Sequence, residues 1–434
     1  MRVAVIGGGF GGLASAARLA KLGHDVILLE RGHALGGALA PVQADGFTWD
    51  GGPTATLLPA VLRDLFRKTG RPLERELELL PLEVARRHRF ADKSAVDVPV
   101  GSRSAQARAF DGLGAGLGDQ WTTYADSFTT VWEVVRRELF ERPYSPDLAS
   151  RELTALLRSR EMLSRRTRKA LRDPRLRLVA THEVVAGGHE PRDVPAWLGM
   201  TTHLEQRLGT WTVAGGLAAL GAALGRRLET RGVDVLTGAE AHDVVVRGGR
   251  VVAVATGAGH VDCDAVVCCI DPRRLTVLAE HVRRTQPALP PTISHLGLAV
   301  GDAGHDLPHE VVLHGDPMLV LRTGGRAPDG GKAWTIHGHG RLAEDIVVAL
   351  ARAGIDVRDR VVTRVDLSPR DLVEQWGGSP MGVRWAGRRT VSDRLGPRTP
   401  VPGVYAAGAH ATSGPGLPFV GLSAALVAQV IGPA

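Results

Sequence analysis

The sequence predicts an α/β fold: a parallel sheet assembled from sequence-distant pieces, a β-meander beside it, and an α+β region inserted between the pieces. Three observations carry this reading. Residues 2–30 run strand, glycine turn, helix, strand. A second glycine-rich segment, from Val404 through Gly408 to Gly414, Gly416 and Pro418, stands at the opposite end of the chain. Between them, residues 233–254 hold three short valine-rich runs behind an Ala/Leu-rich helical stretch.

Residues 2–6 are an apolar run suited to a buried parallel strand, and residues 13–22 read as a helix rich in Ala and Leu. Gly7-x-Gly9-x-x-Gly12 lies between them. Gly7 permits the tight turn, Gly9 lets backbone approach a pyrophosphate, and Gly12 lets helix and strand pack closely. The helix N-terminus adds unpaired N–H groups and partial positive charge. The second strand ends on Glu30, 23 residues after Gly7. A carboxylate there accepts hydrogen bonds from ribose hydroxyls and disfavours a 2′-phosphate. The unit therefore reads as a dinucleotide site, and NAD and FAD both satisfy it.

The middle piece reads as a helix over 217–231 and short strands over 233–236, 243–247 and 250–254, the last two joined at Gly248-Gly249. Residues 262–270 read as a buried strand holding Cys263, Cys268 and Cys269, thiols used as core filler in a reducing, cytoplasmic setting. The nucleotide domain is then expected from residues 1–69, 210–278 and 396–434, and the substrate domain from 70–209 and 279–395.

The stretch beyond Glu30 is more specific. Arg31 leads to Gly36-Gly37, then to Gly46-Phe47-x-x-Asp50-x-Gly52-Pro53-Thr54. This opening resembles the FAD-binding start of the phytoene desaturase family, within the wider amine oxidase-like flavoproteins. Further stretches are similar to that family: residues 171–177, His203-Leu204-Glu205, Gly209-Thr210-Trp211, Gly215-Gly216-Leu217, residues 334–364, and the closing run from Arg398 to Gly408. The resemblance spans nearly the whole chain and is weakest over residues 80–118. It implies a Rossmann-type FAD-binding domain in which Gly7, Gly9, Gly12, Glu30, Arg31, Gly36 and Gly37 hold the nucleotide. It further implies that Gly408, Gly416, Pro418 and Phe419 meet the flavin ring, and that a meander valine, nominated as Val244, offers its backbone to adenine. The chain departs from the family pattern at Ala38 (Arg in the family), at Ala411-Thr412-Ser413 (Thr-His-Pro) and at Phe419 (Gly), so a substrate other than phytoene is open.

Length and composition agree: 434 residues with 44% hydrophobic give core enough for two domains. The formal charge is +7. Residues 151–177 hold ten Lys or Arg against Glu152, Glu161 and Asp173, and Leu153, Leu156, Leu157 and Leu163 suggest one apolar stripe. Such a segment is a solvated helix face or a surface for anionic lipid headgroups. No binding motif accompanies it that would indicate nucleic acid, and no apolar run reaches the roughly 18 residues of a membrane span. The expected location is therefore cytoplasmic, peripheral at most on the inner membrane face.

Two further features bear on the substrate side. Trp121, Tyr124, Phe128, Val131, Trp132, Val135 and Leu139 recur at helical spacing, as core or as the lining of an apolar channel. His337 and His339 alternate on a strand, either exposed to solvent or lining a pocket; no third ligand makes them a metal site. His410 reads as a structural, backbone-bonded histidine. The sequence holds no GxSxG elbow, no HExxH and no Walker loop. That leaves a flavin as the reactive group, transferring hydride between a lipophilic isoprenoid or polyene-like substrate and its N5, with a quinone or oxygen as electron acceptor and the catalytic base unassigned. Two alternatives remain: a flavin amine oxidase, and a non-catalytic prenyl-binding protein of the same fold. Against the first, Lys332 is the one lysine after Lys169, and it lies in a turn-like Asp329-Gly330-Gly331 context.

Overall fold

The computed structural model describes residues 1–301 and 307–434. At its centre is a parallel sheet of five strands in the order Val404–Ala406, Ala265–Cys268, Arg2–Ile6, Asp25–Leu29, Asp234–Leu236. Strands from three distant regions thus meet in register, with Ala4 flanked by Val266 and Ile27. In the central strands, residues 3–6, 26–29 and 265–268 are buried on both faces and read as continuous apolar runs, whereas the edge strand Asp234–Leu236 is partly exposed. Helix Phe10–Lys21 packs on one face, with Leu13, Ala14, Ala16, Ala17 and Leu19 fully buried. A side chain at Gly12 would place its Cβ 1.8 Å from the Gly7 carbonyl oxygen. Glycine there is a condition of the helix–strand contact.

The meander follows helix Ala218–Thr230 as strands Ala241–Arg247, Arg250–Thr256 and Gly259–Asp262. Its first turn uses Gly248 and Gly249 at φ +56° and +75°, as a two-residue hairpin turn of the primed type requires. Cys263 and Cys268 are buried beside this region, and burial pushes their thiols up to about 11 and about 12.

A second sheet has seven strands in the order Val361–Leu367, Thr292–Leu298, Lys332–His339, Met318–Arg322, Glu310–Leu313, Val84–Arg89, Ala95–Pro99. Alternation gives it two unlike faces. Leu296, Leu321, Trp334 and Ile336 pack in one apolar cluster with Ile346 and Leu350 of helix Ile346–Arg352. The opposite face presents Arg86, Glu310, Arg322, His337 and His339 toward a cavity. His337 and His339 are thus buried rather than on a solvated strand face, at 6% and 7% exposure.

Residues 103–208 form a helical layer. The aromatic stretch is not one helix: it divides into Leu117–Asp126, Thr129–Val135 and a wider turn over Arg136–Phe140. Trp121, Tyr124, Phe128, Val135 and Leu139 are buried in one apolar cluster. Of the stretch, Leu139 reaches the cavity, joined by its neighbour Phe140. The basic segment also differs from the single stripe expected. It spans helices Arg151–Arg158 and Leu163–Ala170 and the start of Pro174–Ala186, with Leu153 and Leu163 buried on separate helices.

Candidate functional site

The two glycine-rich ends of the chain converge. A Cβ on Gly11 would lie 3.0 Å from Gly408 Cα, so the first helix and the closing segment touch backbone to backbone. Beside this contact runs a cavity of about 810 Å³. Every site residue expected from the sequence lines it except Gly12, which is spent on packing, and Val244.

Gly9 ends the turn at the helix N-terminus with φ −74°. A Cβ there would meet nothing nearer than Gly37 Cα at 3.9 Å, so this side of the glycine is open. Gly36 and Gly37 pack along the loop from behind: Gly36 N donates to Gly8 O, and a Cβ on Gly37 would come within 2.9 Å of Gly9 Cα. Glu30 tightens the same loop, accepting from Gly8 N and Gly32 N, each at 2.6 Å. Sequence reasoning assigned Glu30 to ribose alone and missed that clamp. Arg31 Nη2 donates to the carbonyls of Glu374 and Gln375, crossing to the other side of the cavity.

The closing segment enters from strand Val404–Ala406 through Gly408 and Gly414 to helix Leu417–Ile431. Gly416, at φ +102°, caps that helix, and Pro418 sits in its first turn, where a missing N–H costs nothing. Phe419 turns toward the helical layer, its ring 5.5 Å from that of Phe140. His410 Nε2 shares a hydrogen bond with the Ser379 carbonyl at 3.0 Å. At the entry to the meander, the cavity is reached by Ala239, Glu240 and Ala241. Val244 lies apart, buried in an apolar cluster with its N–H donated to Asp243 Oδ1.

Two groups at the cavity, Glu205 apart, gave no signal in the sequence, because isolated arginines and glutamates carry no spacing. One is Arg394, 7% exposed. It stacks 4.4 Å over Trp385 and donates to the Val383 carbonyl, while Nε has no partner. Among the described residues no carboxylate pairs with it, and burial pushes it down to about 10. The other is an ion cluster on the second sheet. Arg86 meets Glu205 at 2.6 Å, Glu310 at 2.9 Å and Glu183 at 3.6 Å, and Glu310 also pairs with Arg322 at 3.1 Å. Burial raises Glu310, but Arg322 and Arg86 outweigh it and hold the carboxyl at about 2. Glu183, farther from Arg86, is pushed up by burial to about 6.

An open glycine turn at a helix N-terminus and a buried arginine without a counter-anion beside the closing segment fit an anionic dinucleotide with a redox ring. The fold and this cavity define an FAD-dependent oxidoreductase. Residues 10–302 match the model of the flavin containing amine oxidoreductases, and the chain belongs to that family. Among curated proteins it is 27% identical to a 4,4'-diapolycopene oxygenase of a Methylomonas species, over 99% of this chain and 98% of that one. A hydroxyneurosporene desaturase of Rhodobacter capsulatus is 32% identical over 73% of this chain and 67% of its own length. A zeta-carotene-forming phytoene desaturase of Myxococcus xanthus is 33% identical, over 62% of this chain and 53% of its own. Among solved structures, cyclohexylamine oxidase from Brevibacterium oxydans aligns over 99% of both chains with a TM-score of 0.68 at 15% identity, a likeness of fold alone.

Proposed function

We propose that the chain dehydrogenates a lipophilic isoprenoid or polyene. The observation that carries this is the apolar wall of the cavity, formed by Leu139, Phe140, Trp197, Trp385 and Phe419 and continuous with the glycine cradle. The carotenoid-converting activities in the relatives' names support the same reading. In this proposal the parallel sheet and meander carry the cofactor, and the second sheet with the helical layer carries the substrate. Gly7 and Gly9 with the helix N-terminus hold the pyrophosphate, Glu30 the ribose, and Gly36, Gly37, Gly408, Gly416 and Pro418 shape the path toward the ring. Bound FAD supplies a hydride acceptor: two hydrogens leave neighbouring carbons, one as hydride and one as a proton, and a quinone or oxygen afterwards takes the electron pair. The chain's own task is to exclude water and to orient the hydrocarbon against the ring.

The amine oxidase alternative has less support. Lys332 is exposed at the start of its strand, and no lysine lines the cavity among the described residues. One face of Trp385, among the aromatics that line the cavity, is covered by Arg394 and closed to an ammonium. Anaerobic mixing of the purified yellow protein with polyenes and with amines decides between them. Bleaching by a polyene and not by amines is expected; bleaching by amines alone overturns the reading, and protein isolated without flavin absorbance favours a non-catalytic binder.

Access to a lipid-dissolved substrate would come from peripheral attachment through residues 151–177. No helix among the described residues is long and apolar enough to cross a membrane. Arg165, Arg168, Lys169 and Arg172 are exposed, and Leu148, 70% exposed, stands just ahead of the basic helices. Arg166 is not free for lipid: it donates to Ser127 Oγ and lies over the Phe128 ring. Co-sedimentation with anionic liposomes should fall steeply with salt, as surface attraction is screened over about 10 Å at 0.1 M. Failure to sediment at low salt makes the patch a solvated face.

A further inference from the structure

Dehydrogenation leaves a proton behind. One of the two hydrogens departs as hydride, and the other must escape from a cavity with an apolar wall. A row of three histidines leads from that cavity toward solvent. His182, on helix Pro174–Ala186, lines the cavity and is 7% exposed. Its ring meets the ring of fully buried His88 at 4.8 Å between centroids, the planes crossing at 78°. His88, on strand Val84–Arg89, is hydrogen-bonded in turn to His314, Nδ1 to Nε2 at 2.9 Å. Their planes differ by 12° and their centroids lie 5.1 Å apart, so the two rings stand edge to edge and the N–H···N bond is close to linear. Neither His88 nor His314 lines the cavity. His314 is half-buried just beyond strand Glu310–Leu313, and exposed Gly315 and Asp316 follow it.

The hydrogen-bond partners place the protons. A carbonyl only accepts, so His182 Nδ1 carries the hydrogen it shares with the Val179 carbonyl at 2.6 Å, and its Nε2 is bare. His88 Nε2 is buried with no partner among the described residues, a cost that packing alone does not explain. Of the two His88 tautomers, the one that donates from Nδ1 leaves Nε2 basic, able to take up a proton as Nδ1 gives one to His314. No ring in the row retains a proton. Burial, with the charge of Arg86, pushes His182 down to about 3; burial pushes His314 to about 4 and, foremost among its causes, holds His88 well below the ordinary imidazole range. A shuttle must release what it accepts, and these rings do. The crossed contact between His182 and His88 is the one place where a side chain must turn to complete the transfer.

We propose that His182, His88 and His314 form a proton relay that carries the proton of dehydrogenation from the cavity to solvent. The relay rests on the dehydrogenation reading and supplies the proton path it leaves open. As hydride leaves one carbon, the C–H bond on its neighbour breaks and its electron pair becomes the new double bond. The proton passes to His182 Nε2 and on to His88 Nε2; His88 Nδ1 gives its proton to His314 Nε2, and His314 gives its Nδ1 proton to solvent. A quinone or oxygen later takes up two electrons and two protons. The returned hydride accounts for both electrons and one proton, and the second proton enters along the row in reverse, which restores the starting tautomers.

Anaerobic flavin bleaching by an acyclic polyene hydrocarbon in detergent reads the relay, in the wild-type holoprotein and in His314→Ala at its solvent end. With the flavin spectrum unchanged, the variant should bleach at least about tenfold more slowly, a modest part of what a positioned proton acceptor contributes. Imidazole in the buffer should fill the gap and restore the rate severalfold, whereas pyrazole, a ring of the same size and far weaker basicity, should not. His314→Gln, which keeps the bulk but passes no proton, should be as slow as His314→Ala. A wild-type rate in either variant overturns the relay. So does a loss in His314→Ala that pyrazole restores as well as imidazole, or that neither restores, because the three rings are then a packing element only. Absence of bleaching in the wild type removes the polyene reading, and the relay with it.

Discussion

Gly9 and Gly12 belong to the same glycine motif but answer to different constraints, and alanine at each separates them. At Gly9 the backbone is in a conformation any residue adopts, φ −74° and ψ −178°, and a Cβ would touch only Gly37 Cα, at 3.9 Å. Gly9→Ala therefore introduces no clash within the protein. By reducing the freedom of the unfolded chain it should leave the apoprotein as stable as wild type or more so, by about 0.4–1 kcal/mol. The methyl group stands where a pyrophosphate would approach the backbone. Losing one charge-assisted hydrogen bond, about 1.5–3 kcal/mol, weakens FAD binding roughly 10- to 150-fold. Gly12→Ala has the opposite profile. Its Cβ would sit 1.8 Å from Gly7 O, so the helix must move by more than an ångström from the strand it covers. A loss of about 3 kcal/mol or more is expected in the apoprotein itself. Urea unfolding of the two apoproteins and FAD titration followed by flavin fluorescence give both numbers. If Gly9→Ala destabilises the apoprotein as much as Gly12→Ala does, or leaves FAD affinity untouched, the open side of Gly9 is not a ligand cradle.

Glu30→Gln should weaken both the loop and FAD retention, since one amide oxygen cannot replace two oxygens accepting from Gly8 and Gly32; titration of the apoprotein should show at least about a tenfold loss. Arg394→Gln removes a buried positive charge from beside the closing segment and should lower the two-electron potential of the flavin by at least about 30 mV, or ~1.4 kcal/mol, read by spectroelectrochemistry, with Arg394→Lys restoring part of it. Arg86→Met strands Glu205 and Glu183, while Glu310 keeps Arg322, and should cost about 3–5 kcal/mol in denaturant unfolding. Glu183 titrates higher in the folded state, at about 6, than its ordinary 4.5, so its contribution to stability is complete below pH 4.5 and is lost as pH rises through about 6. Glu183→Gln should therefore match wild type in thermal unfolding at pH 4.5 and gain on it by pH 7; a gap that stays constant with pH would refute the assignment.

The cofactor half of the molecule was legible in the sequence because glycine, acid and strand recur there at spacings set by backbone geometry. Gly12 performs a steric task that no other residue can perform, and Gly7 holds the turn at φ +103°. Val244 lies apart from the cavity, which is reached instead by Ala239 and Glu240, just ahead of the first meander strand, and by its first residue Ala241; the meander's valines are alike in sequence and do not mark which backbone borders it. The aromatic stretch kept its helical period across a break at Ser127–Phe128, since burial in one cluster constrains side chains more than backbone continuity does. The ion cluster around Arg86, Glu205 apart, was invisible for a different reason. Arg86, Glu183, Glu205, Glu310 and Arg322 come from five elements, and only the tertiary fold brings them within 4 Å.

The order of strands in the parallel sheet has a consequence for how the chain is made. Val3 pairs with Ala265, and Val266 in turn with Val404. During synthesis the first strand can acquire the neighbour Asp25–Leu29 at once, but its other edge stays unpaired while roughly 240 further residues are added, some 12–48 s at ordinary elongation rates of about 5–20 residues per second. Throughout that interval an all-apolar edge is open to any strand that meets it. Slowing translation downstream of residue 30 should lengthen this exposure and raise the aggregated fraction, whereas supplying FAD should help only after residue 406 has emerged and the last strand closes the sheet.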